Sequence, residues 1–253
     1  MMKNSKGKKV LTVIGVAVFW LLLWQLVSFL IHKPYLFASP LDTFRALFAL
    51  LPTGEFWGAI GGSALRICGG LITGCLFGIA VSALAFLCKP LRQLLSPALR
   101  FLQSVPVASF VVLALIWFGS VRLSFVISFT MVFPIFYFTT EKGLNAADPE
   151  LLEMAKVFRV RPGMRILKIY QPALLPYLLT ACVNAVGVAW KSGVAAEIIG
   201  LPSRSIGEHL YEAKLYLDTA NLFAWTISII LVSLLTEKIS LYLVRKAGEK
   251  LGA

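Results

Sequence analysis

The sequence is poor in charge and poorer still in acid. Asp and Glu together number 12 of 253 residues, charged residues of all kinds make up 14%, and histidine occurs twice. Such a chain has little with which to cover a water-facing surface, and 58% of it is apolar, well above the usual share for a soluble domain. The polar residues that carry chemistry are also missing. No G-x-x-x-x-G-K-[ST] loop occurs to cradle nucleotide phosphates, and neither an HExxH nor a GxSxG site is present. His32 and His209 are far apart, and the apolar runs hold none of the clustered carboxylates or histidines that would mark a membrane-embedded enzyme. The four cysteines, Cys68, Cys75, Cys88 and Cys182, have no CxxC or metal-ligand spacing. Three lie within apolar stretches and read as small apolar side chains in helices.

What the sequence has in abundance is long uncharged runs. A helix rises about 1.5 Å per residue and the hydrocarbon core is about 30 Å thick, so about twenty apolar residues suffice to span it. Lys3, Lys6, Lys8 and Lys9 form a basic tail over residues 1–9, and an uncharged run from Val10 to Ile31 follows. That run is too long for a signal peptide and lacks a small-x-small cleavage site, so it reads as the first spanning helix. Residues 32–58 form an outer loop, in which Ser39-Pro40-Leu41-Asp42 has the form of a helix start. Leu41, Phe44, Leu47, Phe48 and Leu51 follow at helical spacing, as in a short interfacial helix.

A core of five further spans occupies residues 59–240. The second span runs from about Ala59 to Cys88, with Arg66 near its outer end, placed to snorkel. Its Gly70, Gly74 and Gly78 form a small-xxx-small packing face. A basic turn with Lys89, Arg92 and Arg100 follows. Phe101–Val121 and Leu123–Thr140 read as a tight hairpin of the third and fourth spans, turning near Gly119-Ser120, with Pro106 and Pro134 starting or kinking them. The fifth runs from about Pro176 to Ile199, with Glu197 as an interface residue at its outer end, and the sixth from about Ala220 to Leu235. Residues 241–253 form a second basic tail.

The net charge of +12 raises the question of nucleic acid, but no basic stripe interleaved with aromatics is present. The basic residues instead follow a membrane topology. With six spans and both termini inside, seventeen Lys and Arg fall in inner segments and six in outer ones, as the positive-inside rule requires. The fold class is therefore an all-α integral membrane protein of about six transmembrane helices.

The most polar stretch, residues 141–176, is patterned more closely than a connector needs. Asp148-Pro149-Glu150 makes a helix start with a cap, a first-turn proline and an acid at the positive dipole end. Leu151, Met154, Ala155 and Phe158 then line one face. A short cytoplasmic helix with an exposed apolar face needs a partner to cover it; the alternative is a solvated connector.

Here the sequence resembles the binding-protein-dependent ABC importer permeases, in particular their nitrate/sulfonate/taurine branch. Residues Asp148 to Lys156 (DPELLEMAK) and Pro172 to Tyr177 (PALLPY) look like the family's EAA-type loop. Phe37-Ala38-Ser39-Pro40, Leu113 to Gly119 (LALIWFG) and Ala195 to Gly200 (AAEIIG) agree with it too. Glu153, Ala155 and Pro172 match the motif. Met154 stands at a usual alanine, Arg159 at a usual glycine with Gly163 nearby, and Gln171 at the leucine before Pro172.

The resemblance implies a type I permease bundle whose loop, through Asp148, Pro149, Glu150, Leu151, Glu153, Ala155, Phe158, Arg159, Gly163 and Pro172, docks on a separate ATPase. Two ATPase subunits would bind ATP and Mg, with no cofactor or metal held by this chain. An extracytoplasmic binding protein would deliver a small solute such as nitrate, a sulfonate or taurine, with Ile206–Leu217 as one segment for it to touch. Six spans are few for a full pathway, so a homodimer in the lipid of a bacterial inner membrane is implied. Lys191, within the fifth span, suits an anion path, with Asn184 on the same helix; alternatively Lys191 snorkels or pairs, and Asn184 bonds a neighbouring helix. A self-contained secondary transporter or channel is the rival, but no internal repeat supports it.

Overall fold

A computed structural model describes residues 3–252, and helices account for almost all of them. The side chains of residues 3–11, 13, 251 and 252 lie outside the description, and with them Lys3, Lys6, Lys8 and Lys9 of the basic tail. In chain order the helices are α1 (Lys3–Ile31), α2 (Pro40–Leu50), α3 (Gly54–Leu87), α4 (Lys89–Ser104) and α5 (Val107–Asn145). They continue as α6 (Pro149–Val157), α7 (Pro162–Arg165), a π turn (Ile166–Tyr170), α8 (Gln171–Gly200), α9 (Ile206–Leu215) and α10 (Thr219–Gly252). The chain divides into two compact units, one of Met1–Trp57 with His209–Ser228 and one of Gly58–Glu208 with Ile229–Ala253.

In the first unit, α1 from Ile14 onward is strongly apolar and largely exposed, with Phe19, Trp20, Leu22, Phe29 and Leu30 all more than half accessible, as suits a helix surrounded by lipid. Its Trp24 Nε1 donates to the Ala38 carbonyl at 3.0 Å, and Trp24 and Phe37 both meet the edge of Phe223. Ser39 caps α2 by accepting from the Asp42 N–H at 3.1 Å, with Pro40 in the first turn. Thr43 and Leu47 face inward while Leu41, Phe44 and Phe48 stay exposed, so the expected apolar stripe points mostly away from the unit.

The second unit is a bundle whose register can be read from its glycines. A Cβ at Gly74 would press on Val132 and one at Gly78 on Phe136, so α3 and the later part of α5 run in the same direction. In α8 the numbers run the other way: the Ser128 hydroxyl donates to the Ala189 carbonyl at 3.3 Å, and Gly143 packs on Leu174. Small residues such as Ala181, Ala185, Ala189 and Ala196 are fully buried along α8, letting backbones approach where lipid supplies no hydrophobic drive. α10 completes the group, enclosing with α3, α5 and α8 an apolar cavity of about 180 Å³ lined by Leu71, Cys75, Phe136, Cys182, Val186 and Leu243.

Among the described residues five helices are long and apolar enough to cross a membrane: Ile14–Ile31, Gly54–Leu87, Val107–Asn145, Pro162–Gly200 and Thr219–Lys250. The count differs from six because α5 holds both expected members of the third pair. At Gly119 (φ 71°, ψ 172°) the backbone leaves helical geometry, in a region that only glycine enters freely. Val111 and Ala114 before the break and Leu123 and Ile127 after it share one buried cluster with Ala196.

The expected basic turn after α3 is also different. Lys89, Arg92 and Arg100 lie on a sixteen-residue amphipathic helix, α4, whose Leu91, Leu95, Leu99 and Leu102 pack with Ala85 and Tyr137. The expected third span, Phe101–Val121, is therefore divided: it begins in α4, breaks at Val105, and resumes after Pro106 as the first arm of α5.

Candidate coupling surface and pathway face

The α5–α8 connection is built around α6. Asp148 is its N-cap, the carboxylate accepting from the Glu150 N–H at 2.9 Å, and Pro149 fills the first helical position. Leu152 is half-buried and Ala155 is buried, while Glu150, Leu151, Glu153, Met154, Val157 and Phe158 are exposed. The stripe expected from the sequence is thus split: Ala155 faces the protein, and Phe158 is 74% exposed.

The helix ends in a Schellman turn. The Val160 N–H donates to the Ala155 carbonyl at 2.9 Å and the Arg159 N–H to that of Lys156 at 3.1 Å. The position that turn reserves for a left-handed residue is held by Arg159, at φ 51°. Gly163 does not substitute for the missing glycine; it sits in α7 with open space around it and φ outside the left-handed region. Arg165 braces the turn by donating from Nε to the Val160 carbonyl at 2.9 Å and from Nη2 to that of Ala155, which also accepts from the Val160 N–H, at 3.2 Å. Pro172 is the second residue of α8 and is exposed.

Asn184 and Lys191, seven residues apart on α8, lie on one exposed face together with Thr180. Neither Asn184 nor Lys191 has a hydrogen-bond or ion-pair partner among the described residues, so the interhelical bond considered for Asn184 is not made within this chain. An ammonium facing hydrocarbon would cost about 3 kcal/mol, so this face suits water, a second protein surface or an anion better than lipid.

The most highly connected polar group of the second unit is one that sequence reasoning placed at an interface. Glu197 is fully buried. Arg66 Nη2 lies 3.1 Å from its Oε1 and Arg66 Nε 3.2 Å from the same atom, while the Ser124 hydroxyl donates to it at 3.2 Å. Oε2 accepts from the Ser63 hydroxyl at 2.6 Å and from the Gly207 N–H at 3.4 Å. Ser63 in turn accepts from the Ile206 N–H at 2.9 Å, and Arg66 donates to the Arg204 carbonyl at 3.2 Å. Arg66 therefore does not snorkel and Glu197 is not an interface residue: burial of a carboxylate is tolerated because five donors surround it, two of them from the Arg66 cation. Both residues had been assigned to outer span ends, and that shared depth was the available signal for their pairing.

In the first unit, Leu50, Glu55, His209, Glu212, Tyr216 and Trp225 contribute to a cavity of about 280 Å³. The His209 ring stacks on Trp225 with centroids 4.7 Å apart, and its Nδ1 lies 3.3 Å from Glu212. No group of three metal-ligating side chains occurs among the described residues.

Five helices long and apolar enough to cross a membrane, a capped connecting helix that presents apolar side chains to solvent, and a polar face along one of the long helices are the marks of a polytopic membrane protein. Residues 70–248 match the family model described as "Binding-protein-dependent transport system inner membrane component", and the chain belongs to that family. It is 29% identical over 227 residues to SsuC of Bacillus subtilis (strain 168), a permease protein named for aliphatic sulfonates transport, covering 88% of this chain and 82% of that one. It is 30% identical over 197 residues to the bicarbonate transport system permease protein CmpB of Synechococcus elongatus, covering 77% of this chain and 70% of that one. The corresponding CmpB of Synechocystis sp. is 30% identical over 223 residues, with 83% and 79% covered. The chain is a multi-pass inner-membrane permease subunit of an ABC importer, not a self-contained transporter. Membership implies, in general terms, an ATPase and a substrate-binding protein as partners.

Two outcomes follow from this geometry. Arg66→Met should lower stability in detergent by about 3–5 kcal/mol, because it strands a buried carboxylate. Adding Glu197→Gln should recover part of that loss in a thermal unfolding assay, whereas strictly additive losses would contradict the pairing. At the loop, Arg159→Gly should keep or raise the hydrogen-exchange protection of the α6 amides. Arg159→Val should lower it about tenfold, since a β-branched residue pays about 1–2 kcal/mol at positive φ.

Proposed function

We propose that α6 is the coupling helix of this permease and docks on an ATPase subunit at the membrane's cytoplasmic face. The observation that carries this reading is the exposure of Leu151, Met154, Val157 and Phe158 on a short helix fixed at both ends by its caps. Apolar side chains on a rigid polar-rimmed connector are a surface for a protein, not for lipid. Asp148, Pro149, Arg159 and Pro172 shape that surface and its junctions, with Glu150 and Glu153 at its rim. ATP and Mg are used by the partner, two ATPase subunits serving two copies of this chain, and the chain itself binds no cofactor.

Both termini face the cytoplasm in this reading, supported by the seventeen-to-six distribution of Lys and Arg. Residues 1–9 and 241–253 are then cytoplasmic tails, 10–31 the first span, 32–58 an outer loop and 59–240 the permease core. The segment Ile206–Leu217 lies on the extracytoplasmic side, where it is accessible to a binding protein.

The solute is a small anion. Aliphatic sulfonates and bicarbonate, which the relatives' names give as theirs, are both anionic, and Lys191 offers an unpaired cation beside Asn184 on an exposed face of α8. Alternating access between two permease copies, biased by nucleotide, would move it inward.

Co-purification of the tagged chain with the ATPase of the same system tests the docking role. Phe158→Asp and Glu153→Lys should each lose the ATPase while the permease remains folded by size-exclusion and thermal shift. Retention of the ATPase by both variants would remove α6 from the interface.

A further inference from the structure

Toward the end of the 141–176 loop, the last residue of the π turn and the first residues of α8 touch the ends of three other helices. The Tyr170 ring meets Phe86 of α3 edge-on with centroids 5.8 Å apart. The Gln171 side-chain amide donates to the Gly248 carbonyl of α10 at 2.9 Å. Leu174 lies against Gly143 of α5, where a Cβ would come within 2.6 Å of its Cδ1. Leu175 lies against Gly248, where a Cβ would come within 2.8 Å of both its methyl carbons.

The backbone leading in is a π turn, Ile166–Tyr170, closed by the Gln171 N–H donating to the Ile166 carbonyl. Pro172 has no N–H to give the carbonyl four residues back, so the regular α pattern cannot close there. The wider turn sets the register in which residues 170, 171, 174 and 175 face different neighbours. α10 is otherwise remote in sequence from this region. A side-chain hydrogen bond and a glycine contact reach it here, and its helix runs unbroken from Gly252 back to Thr219.

We infer that the Tyr170–Leu175 segment distributes movement of the coupling helix to α3, α5 and α10 together, and that Gln171 is the positioning residue that brings α10 into this linkage. The inference rests on the coupling role proposed for α6. A load on α6 reaches the segment through α7 and the π turn. Gln171 and the close fit of Leu175 on Gly248 leave no slack between α8 and the end of α10. Loosening them leaves the docking surface on α6 intact but lets α10 lag behind.

The test uses the assembled transporter, with its ATPase and binding protein, in proteoliposomes. The readout is solute accumulated per ATP hydrolysed, with ATPase co-purification recorded in parallel. Gln171→Met, which keeps the side-chain length and removes the donor, should retain the ATPase and lower the ratio about fivefold, the worth of one ordinary hydrogen bond. Gly248→Ala should do the same by pushing on Leu175, and Leu175→Ala in that background should restore the ratio.

An unchanged ratio in Gln171→Met overturns the inference. So does failure of Leu175→Ala to relieve Gly248→Ala. If Gly248→Ala does not fold, Gln171→Met decides alone. A wild-type assembly that binds no ATPase overturns the coupling reading itself, and is told apart because the loss is then present without any substitution.

Discussion

One buried carboxylate sets the frame of the second unit. In a chain this short of acid, Glu197 is placed where no water reaches it, and it is stable there because Arg66, Ser63, Ser124 and the Gly207 N–H all donate to it. Removing any large share of those donors would leave a charge whose desolvation costs several kcal/mol. The positions that satisfy it lie on α3, α5 and the segment after α8, so the ends of these elements are fixed relative to one another. From that end the close contacts continue. Gly193 packs against Ile67 and Ser128, Gly74 against Val132, and Gly143 against Leu174, the last next to the connection from α5 to α8.

The two ends of the unit therefore have different characters. At the Glu197 end, polar groups are buried and saturated. At the α6 end, apolar groups are exposed and left uncovered by the described residues: Val157 and Phe158 are each about three-quarters accessible. α8 joins them, and the 27 residues from Gln171 to Glu197 correspond to about 40 Å of helix, enough to cross the hydrocarbon core. The two ends are thereby joined by a single continuous helix.

Much of this was legible in the sequence, because membrane helices are announced by length and apolarity alone. The start of α6 was legible for a local reason too, since Asp148-Pro149-Glu150 carries its own capping chemistry. What escaped depended on tertiary context. Lys89, Arg92 and Arg100 suggested a turn, yet the leucines between them recur at helical spacing and bury against Tyr137, making α4 a helix. Arg159 argued against a regular turn after α6, but Arg165, six residues on, donates to the acceptors that stabilise it. The Arg66–Glu197 pair bridges 131 positions, and no local pattern encodes such a contact. Asn184 and Lys191 fall on one exposed face, as their spacing requires, and neither has a polar partner among the described residues.

The most direct measurement is uptake of a radiolabelled small anion, a sulfonate or bicarbonate, into proteoliposomes containing this chain. It should be made with and without the ATPase, the binding protein and ATP. The account predicts accumulation only when all three are present, and none from a proton or sodium gradient. Gradient-driven uptake by the chain alone would contradict it.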